Sequence, residues 1–176
     1  MKTKLFAPLF GCLLSVIMIK SGFAQHSGSD ISLHYQFVYD TSNSGLSPTH
    51  LDAVKSSVIH TFYTTFANAE NVTWQKVKSS YFLASFTQNG KETRALFTNK
   101  GTLKYAITYG TEKDLPAETR RLVKREYIDF AISMATEVKE NDRDVWVIRL
   151  EDADNMIFVS VENGELEEIN HYQKSK

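Results

Sequence analysis

Five histidines, 21 acidic residues and one cysteine are the raw material for chemistry in this 176-residue chain, and their spacing does not bring them together. His26, His34, His50, His60 and His171 are scattered, and no two stand at the spacing that would aim a pair of imidazoles at zinc. His60, between Ile59 and Thr61 on an expected helix, reads as a surface residue. Cys12 lies in an apolar N-terminal run, so thiol chemistry leaves the molecule if that run is removed. No Gly-x-Ser-x-Gly elbow is present, and the eight glycines are too dispersed for a phosphate loop. Asp152-Ala153-Asp154-Asn155 opens like a calcium loop but lacks the glycine at its sixth position and has Asn163 at its twelfth. It reads as an acidic hairpin turn, and Glu162, Glu165, Glu167 and Glu168 read as a solvated strand end. No catalytic, cofactor-binding or metal-ligating set can be named, and the expectation is a protein that is not an enzyme.

Aromatic residues are the remaining candidates. Trp74, Tyr81, Tyr105, Tyr109, Trp146 and Tyr172 fall in expected strands, and Phe62 and Phe66 on an expected helix. Tyrosine and tryptophan anchor interfaces well because they join a large apolar area to one polar contact. The competing role is ordinary packing, which suits Trp74 and Trp146 best. Tyr81, Tyr105, Tyr109 and Tyr172 are the candidate partner-binding residues.

The elements that would position them follow from periodicity. From Pro48, Leu51, Val54, Val58, Phe62 and Phe66 recur every three or four residues, which predicts a helix ending near Asn68, with Ser47 as N-cap. Four strands are expected next, over 72–77, 81–87, 92–98 and 102–109, joined by links such as Gln88-Asn89-Gly90 and Asn99-Lys100-Gly101 that suit hairpins. Asp114-Leu115-Pro116 then opens a second helix carrying Leu122, Val123 and Tyr127. Strands over 132–138, 145–150, 156–161 and 166–172 close the chain. RALFTNKGTL and MIFVSVENGEL share a strand–turn–strand shape, Val77-Lys78 repeats as Val138-Lys139, and Gly101 repeats as Gly164. The expectation is an α+β fold of two tandem helix-plus-four-stranded antiparallel units, 48–110 and 111–176, with helices packed on one face of the sheet. The two units would form one compact domain over 48–176.

The N-terminal residues read differently. Lys2 and Lys4 precede an apolar stretch from Leu5 to Ile19, and Gly22-Phe23-Ala24 offers small residues for cleavage. This predicts a signal peptide over 1–24, cut after Ala24. Pro8, Gly11 and Lys20 leave the run short of the roughly 20 residues a membrane span needs. A lipobox-like reading of Leu9-Phe10-Gly11-Cys12 is opposed by bulky Phe10 and the continuing apolar run. Cleavage would remove three of 20 basic residues and no acidic one, leaving a mild excess of acid that argues against a nucleic-acid partner. Residues 25–47 read as an arm or linker, within which ISLHYQFVY alternates Ile31, Leu33, Tyr35 and Phe37 as a short strand or extended segment.

The run FANAENVTWQKVKSSYFLASFTQNGKETRALFTNKG, followed by DLPAETRRLVKREYIDFAI, resembles the PepSY-like family of small secreted Bacteroidetes proteins, which is similar in fold to the β-lactamase inhibitory protein. Phe66 and Ala69 before Asn71-Val72-Thr73-Trp74, Leu115-Pro116 and Tyr127 carry the resemblance, which spans roughly residues 50–172. It implies a periplasmic or extracellular non-enzymatic domain that binds another protein through an open sheet face, with no cofactor. It does not imply inhibition of a β-lactamase, and this chain lacks the two disulfides of the inhibitor. The expected function is therefore an exported binding or inhibitor-like module for a protein or peptide of the cell envelope. The alternative is a periplasmic small-molecule or lipid carrier with an apolar pocket between sheet and helices.

Overall fold

The structure, a computed structural model, describes residues 48–77 and 79–175. The expected signal peptide, the arm with its 31–39 stretch, and Ser47 lie outside the described residues.

The elements run β1 (Pro48–Thr49), α1 (Ser56–Thr65), β2 (Glu70–Val77), β3 (Tyr81–Gln88), β4 (Lys91–Thr98), β5 (Leu103–Gly110), α2 (Ala117–Glu126), β6 (Ala131–Glu140), β7 (Arg143–Glu151), β8 (Asn155–Glu162) and β9 (Glu165–Gln173). All of these strands belong to one nine-stranded antiparallel sheet whose order in space is the order in sequence. The α+β class stands, but the expected two tandem units do not. β5 pairs with β6 from Ala106↔Lys139 to Gly110↔Ala135, so the sheet runs unbroken across the supposed boundary at 110. The physical reason is backbone satisfaction: a free β5 edge would leave a row of N–H and C=O groups unpaired, and β6 is the next strand able to take them.

The first helix starts later than its apolar spacing suggested. Pro48 and Thr49 pair with Gln75 and Trp74 as a short edge strand, where proline's missing donor is tolerated. A 3-10 turn over Leu51–Ala53 follows, and α1 begins at Ser56 with Lys55 as N-cap. Asp114 likewise sits ahead of α2, in a 3-10 turn where Thr111 and Asp114 cap one another reciprocally; Pro116 is the N-cap of the helix itself. The hairpin turns follow their chemistry, with Asn89-Gly90 and Asn163-Gly164 all at positive φ.

Both helices lie on the same side of the sheet. Val58 and Phe62 of α1 pack with Trp74, Phe82, Ala84, Phe86, Ala95, Phe97 and Ala106. Val123 of α2 packs with Leu115, Ala135, Ile148, Leu150, Ile157, Val159 and Val161. Ala106 and Ala135 fall on one face because Gly110 pairs with Ala135 and side chains alternate along each strand.

Candidate binding face

Alternation that sends these residues toward the helices sends their neighbours to the other side. Across β5, β6, β7 and β8 the pairs Ile107↔Val138, Val138↔Val145 and Val147↔Ser160 lay down a stripe on the face away from α1 and α2, which among the described residues carries no helix and is called the helix-free face. Tyr105, Ile107, Val138, Val145, Val147 and Phe158 form a second buried cluster there, with Leu96, Tyr109, Met156 and Ile169 around it.

A β-bulge decides where Tyr105 points. Leu96 pairs with Tyr105 but Phe97 pairs with Leu103, leaving Lys104 as an extra residue in β5. Leu103 therefore joins the helix-side core and Tyr105 the opposite cluster. Simple alternation would have put Leu103, Tyr105, Ile107 and Tyr109 on one face.

By register the four candidate tyrosines share the helix-free face. Tyr81 pairs with Thr98, two positions along from Leu83↔Leu96, and Tyr109 pairs with Thr136. Tyr172 pairs with Met156 and meets Phe158 edge to face, with ring centroids 6.0 Å apart. Their exposures differ. Tyr172 is exposed, Tyr81 and Tyr109 are half-buried, and Tyr105 is only 6% exposed. Trp74 and Trp146 pack on the helix side.

Charged side chains border the stripe. Arg143 Nε and Nη2 donate to the two carboxylate oxygens of Glu162, each at 2.8 Å. Arg94 lies 3.0 Å from Glu92 and holds its guanidinium 5.4 Å from the centre of the Tyr109 ring. At the other end Arg149 Nε donates to Ser133 Oγ at 2.8 Å and sits 2.9 Å from Glu151, whose second oxygen accepts from Lys174 Nζ at 2.9 Å. An apolar centre with a polar rim is the anatomy of protein interfaces. Burial pushes the Tyr105 phenol well above its ordinary range, with Tyr109 and Glu140 adding to the effect. Burial also raises Tyr109, against the pull of Arg94. Both therefore stand as phenols, not phenolates, at neutral pH. The valines, Ile107, Phe158 and the Arg143–Glu162 pair were not anticipated; their alternation was visible, but not which face the helices leave bare.

His50, His60 and His171 are exposed, on separate elements. Among the described residues no three His, Cys, Asp or Glu side chains gather as a metal site. The Asp152 carboxylate is turned inward, accepting from the backbone N–H groups of Asp154 at 2.8 Å and Asn155 at 2.6 Å. An open cleft of about 390 Å³ lies between the start of α2 and the end of the β8–β9 hairpin, lined by Pro116, Ala117, Glu118, Leu122, Val161 and Gly164. No described helix is long and apolar enough to cross a membrane.

This arrangement of a single antiparallel sheet and two helices has a likeness of fold among solved proteins. A DUF2874 family protein from Bacteroides ovatus ATCC 8483 superposes with a TM-score of 0.57 at 19% identity, covering 69% of this chain and 89% of its own. A BLIP-like protein from Bacteroides fragilis NCTC 9343 gives 0.57 at 14% identity over 76% and 92% of the two chains. A proposed periplasmic protein from Bacteroides eggerthii DSM 20697 gives 0.56 at 19% identity over 68% and 88%. At such identities the likeness is one of fold, and the fold is BLIP-like. No family model and no curated protein matches the chain.

Proposed function

We propose that this protein is an exported, non-enzymatic binding module, allied to the PepSY-like proteins, that offers the helix-free sheet face to a protein or peptide partner in the cell envelope. The observation that carries the reading is the gathering of Tyr81, Tyr105, Tyr109 and Tyr172, from three separate strands, on that one face. Likeness of fold to a BLIP-like protein and to a proposed periplasmic protein supports it. Export rests on the signal peptide expected over 1–24, which would place the domain in the periplasm or outside the cell.

A carrier would need room between sheet and helices. Val58, Phe62 and Phe97 are fully buried there beneath α1, as are Val123 and Ile148 beneath α2, and they fill that layer with side chains. The cleft beside α2, among the described residues, is open and away from the tyrosines. The binding reading is therefore preferred.

Affinity capture from the envelope fraction of the source cells, with residues 25–176 as bait, tests it. Tyr172→Ala removes an exposed ring, so the Tm should move by less than about 2 °C, in line with a surface change of roughly 0.5 kcal/mol. A specific partner whose Kd rises tenfold or more in Tyr172→Ala and Tyr81→Ala would support the face. Retention of every captured protein by both variants would sink it, and a small molecule carried through native mass spectrometry would favour the carrier.

A further inference from the structure

Two hairpin turns of this molecule are nearly a matched pair. Asn89-Gly90 and Asn163-Gly164 are both exposed, and both asparagines sit at φ 51°. Their glycines sit at 77° and 80°, each with nothing within 4 Å of where a Cβ would stand. Asparagine before glycine is self-reactive by ordinary amide chemistry. The glycine nitrogen, once it gives up its proton to water, attacks the asparagine side-chain carbonyl carbon. A nitrogen–carbon bond closes a succinimide ring, and the side-chain nitrogen leaves as ammonia. Water then opens the ring at one carbonyl or the other, giving aspartate or isoaspartate, and nothing is oxidised or reduced. Glycine leaves the attacking nitrogen unshielded. Asn71 and Asn141 share the positive φ but precede Val72 and Asp142, whose side chains crowd the attack.

The place of each turn in the sheet separates the two. A tight turn fixes the asparagine backbone in the left-handed region, so attack waits on local opening of the hairpin. β3 and β4 lie inside the sheet: β3 is paired with β2 as far as Thr87, and β4 with β5 from Thr93. Lys91, next to Gly90, is held 2.8 Å from Asp114. β9 is the last strand of the sheet among the described residues and pairs there with β8 alone. Its ladder is interrupted by a register shift at Phe158/Val159, and Glu165, Glu167 and Glu168 are exposed. Beyond that ladder, the stretch after Gly164 is tied down by half-buried Leu166 and by the Tyr127 hydroxyl, which donates to Glu168 at 3.1 Å. Charge works in the opposite direction, since Glu162 and Glu165 discourage loss of the Gly164 proton and Lys91 favours loss of the Gly90 proton. That effect is weak on turns bathed in water, and Arg143 already pairs with Glu162. Opening the inner hairpin must break two further ladders, so position in the sheet decides.

We propose that Asn163 is a site of self-modification, converted to aspartate and isoaspartate through a succinimide with Gly164 and with water as the only co-reactant, while Asn89 is spared by its place inside the sheet. Isoaspartate carries an extra methylene in the main chain, which a two-residue turn takes up only by releasing the register of β9. A consequence, which rests on the binding reading, is that the exposed ring of Tyr172 is carried by a strand that loosens as the molecule ages.

The test incubates the folded protein at mildly alkaline pH, digests it at intervals, and follows the peptides holding Asn89 and Asn163 by chromatography and mass spectrometry. Conversion of amide to aspartate and isoaspartate should run about tenfold or more faster at Asn163, and the two rates should converge when the same incubation is done in urea. Equal rates in the folded protein, a faster Asn89, or an Asn163 that does not convert would overturn the proposal. A difference that persists undiminished in urea would do so too, because the cause would then lie in the flanking residues and not in the sheet. Leu166→Ala loosens the edge strand and should raise the Asn163 rate several-fold while leaving Asn89 unchanged. A rise at both sites would make global unfolding the route, and a rise at neither would show that β9 need not open; each result contradicts the proposal. No partner enters these measurements, so failure of the binding reading would leave their outcome standing.

Discussion

Gly90 and Gly101 hold similar backbones in unlike surroundings. Both sit in hairpin turns at positive φ, 77° and 90°. A Cβ on Gly90 would meet nothing within 4 Å, whereas one on Gly101 would lie 2.6 Å from the carbonyl oxygen of Ser57 in the first turn of α1. Gly90→Ala should lose only the left-handed penalty, about 1–2 kcal/mol. Gly101→Ala must also shift the helix backbone, so urea unfolding should show at least twice the loss; equal losses would mean that α1 is not seated on this turn. Titration offers a second test. Hydrogen bonds from Lys91 and from the Thr111 backbone and hydroxyl hold the Asp114 carboxyl down to about 2 from its ordinary 3.8. A lowered carboxyl stabilises the fold above its unfolded value and loses that contribution as pH falls through its folded value. Stability should therefore decline between about pH 4 and pH 2, and Asp114→Asn should flatten that limb; an identical acid profile would deny Asp114 a part. At this scale the sequence was readable where one residue type decides the matter, as in Asn89-Gly90 and Asn163-Gly164. The role of Gly101 against Ser57, 44 residues away, was not.

Helix α1 shows how an element takes its place from one face. Phe62 is fully buried, with its ring 5.0 Å from Phe86, 5.1 Å from Trp74 and 6.1 Å from Phe97. Its neighbour Tyr63 is 46% exposed. Phe62→Ala should cost about 3–5 kcal/mol and Tyr63→Ala no more than about 0.5 kcal/mol in thermal or urea unfolding. Comparable losses would mean that the helix is rotated from this seating. The apolar spacing of Val54, Val58 and Phe62 made the helix legible because burial on one side leaves that mark. Its start was not, since Pro48 suits a first helical turn and an edge strand equally well, and only pairing with Gln75 separates them. The candidate face was hidden for a related reason. Alternation shows that a strand has two sides but not which one the helices take, and the bulge at Lys104 reverses the sides within β5.

The sheet joins everything, and its continuity has an energetic consequence. Two tandem units would each need a core that survives alone, and each would end in an exposed strand edge. Here β5 and β6 pair at the centre of the sheet, and Ile107 and Val138 cross the seam within one buried cluster. Unfolding the C-terminal strands would strip the β5 edge and open that cluster, so neither half has an independent route to the unfolded state. The described residues should therefore melt in a single calorimetric transition of roughly 90 kcal/mol near 60 °C, with calorimetric and van't Hoff enthalpies equal. Ile107→Ala, at a position 1% exposed beside the seam, should lower that one transition by the equivalent of about 2–5 kcal/mol without splitting it. Two resolved transitions, with Ile107→Ala moving only the one that contains β5, would mean that the halves fold as separate units despite their shared sheet. A partner bound across the helix-free face would add to the same single transition, because its contacts span β3 to β9 and hold both sides of the seam at once.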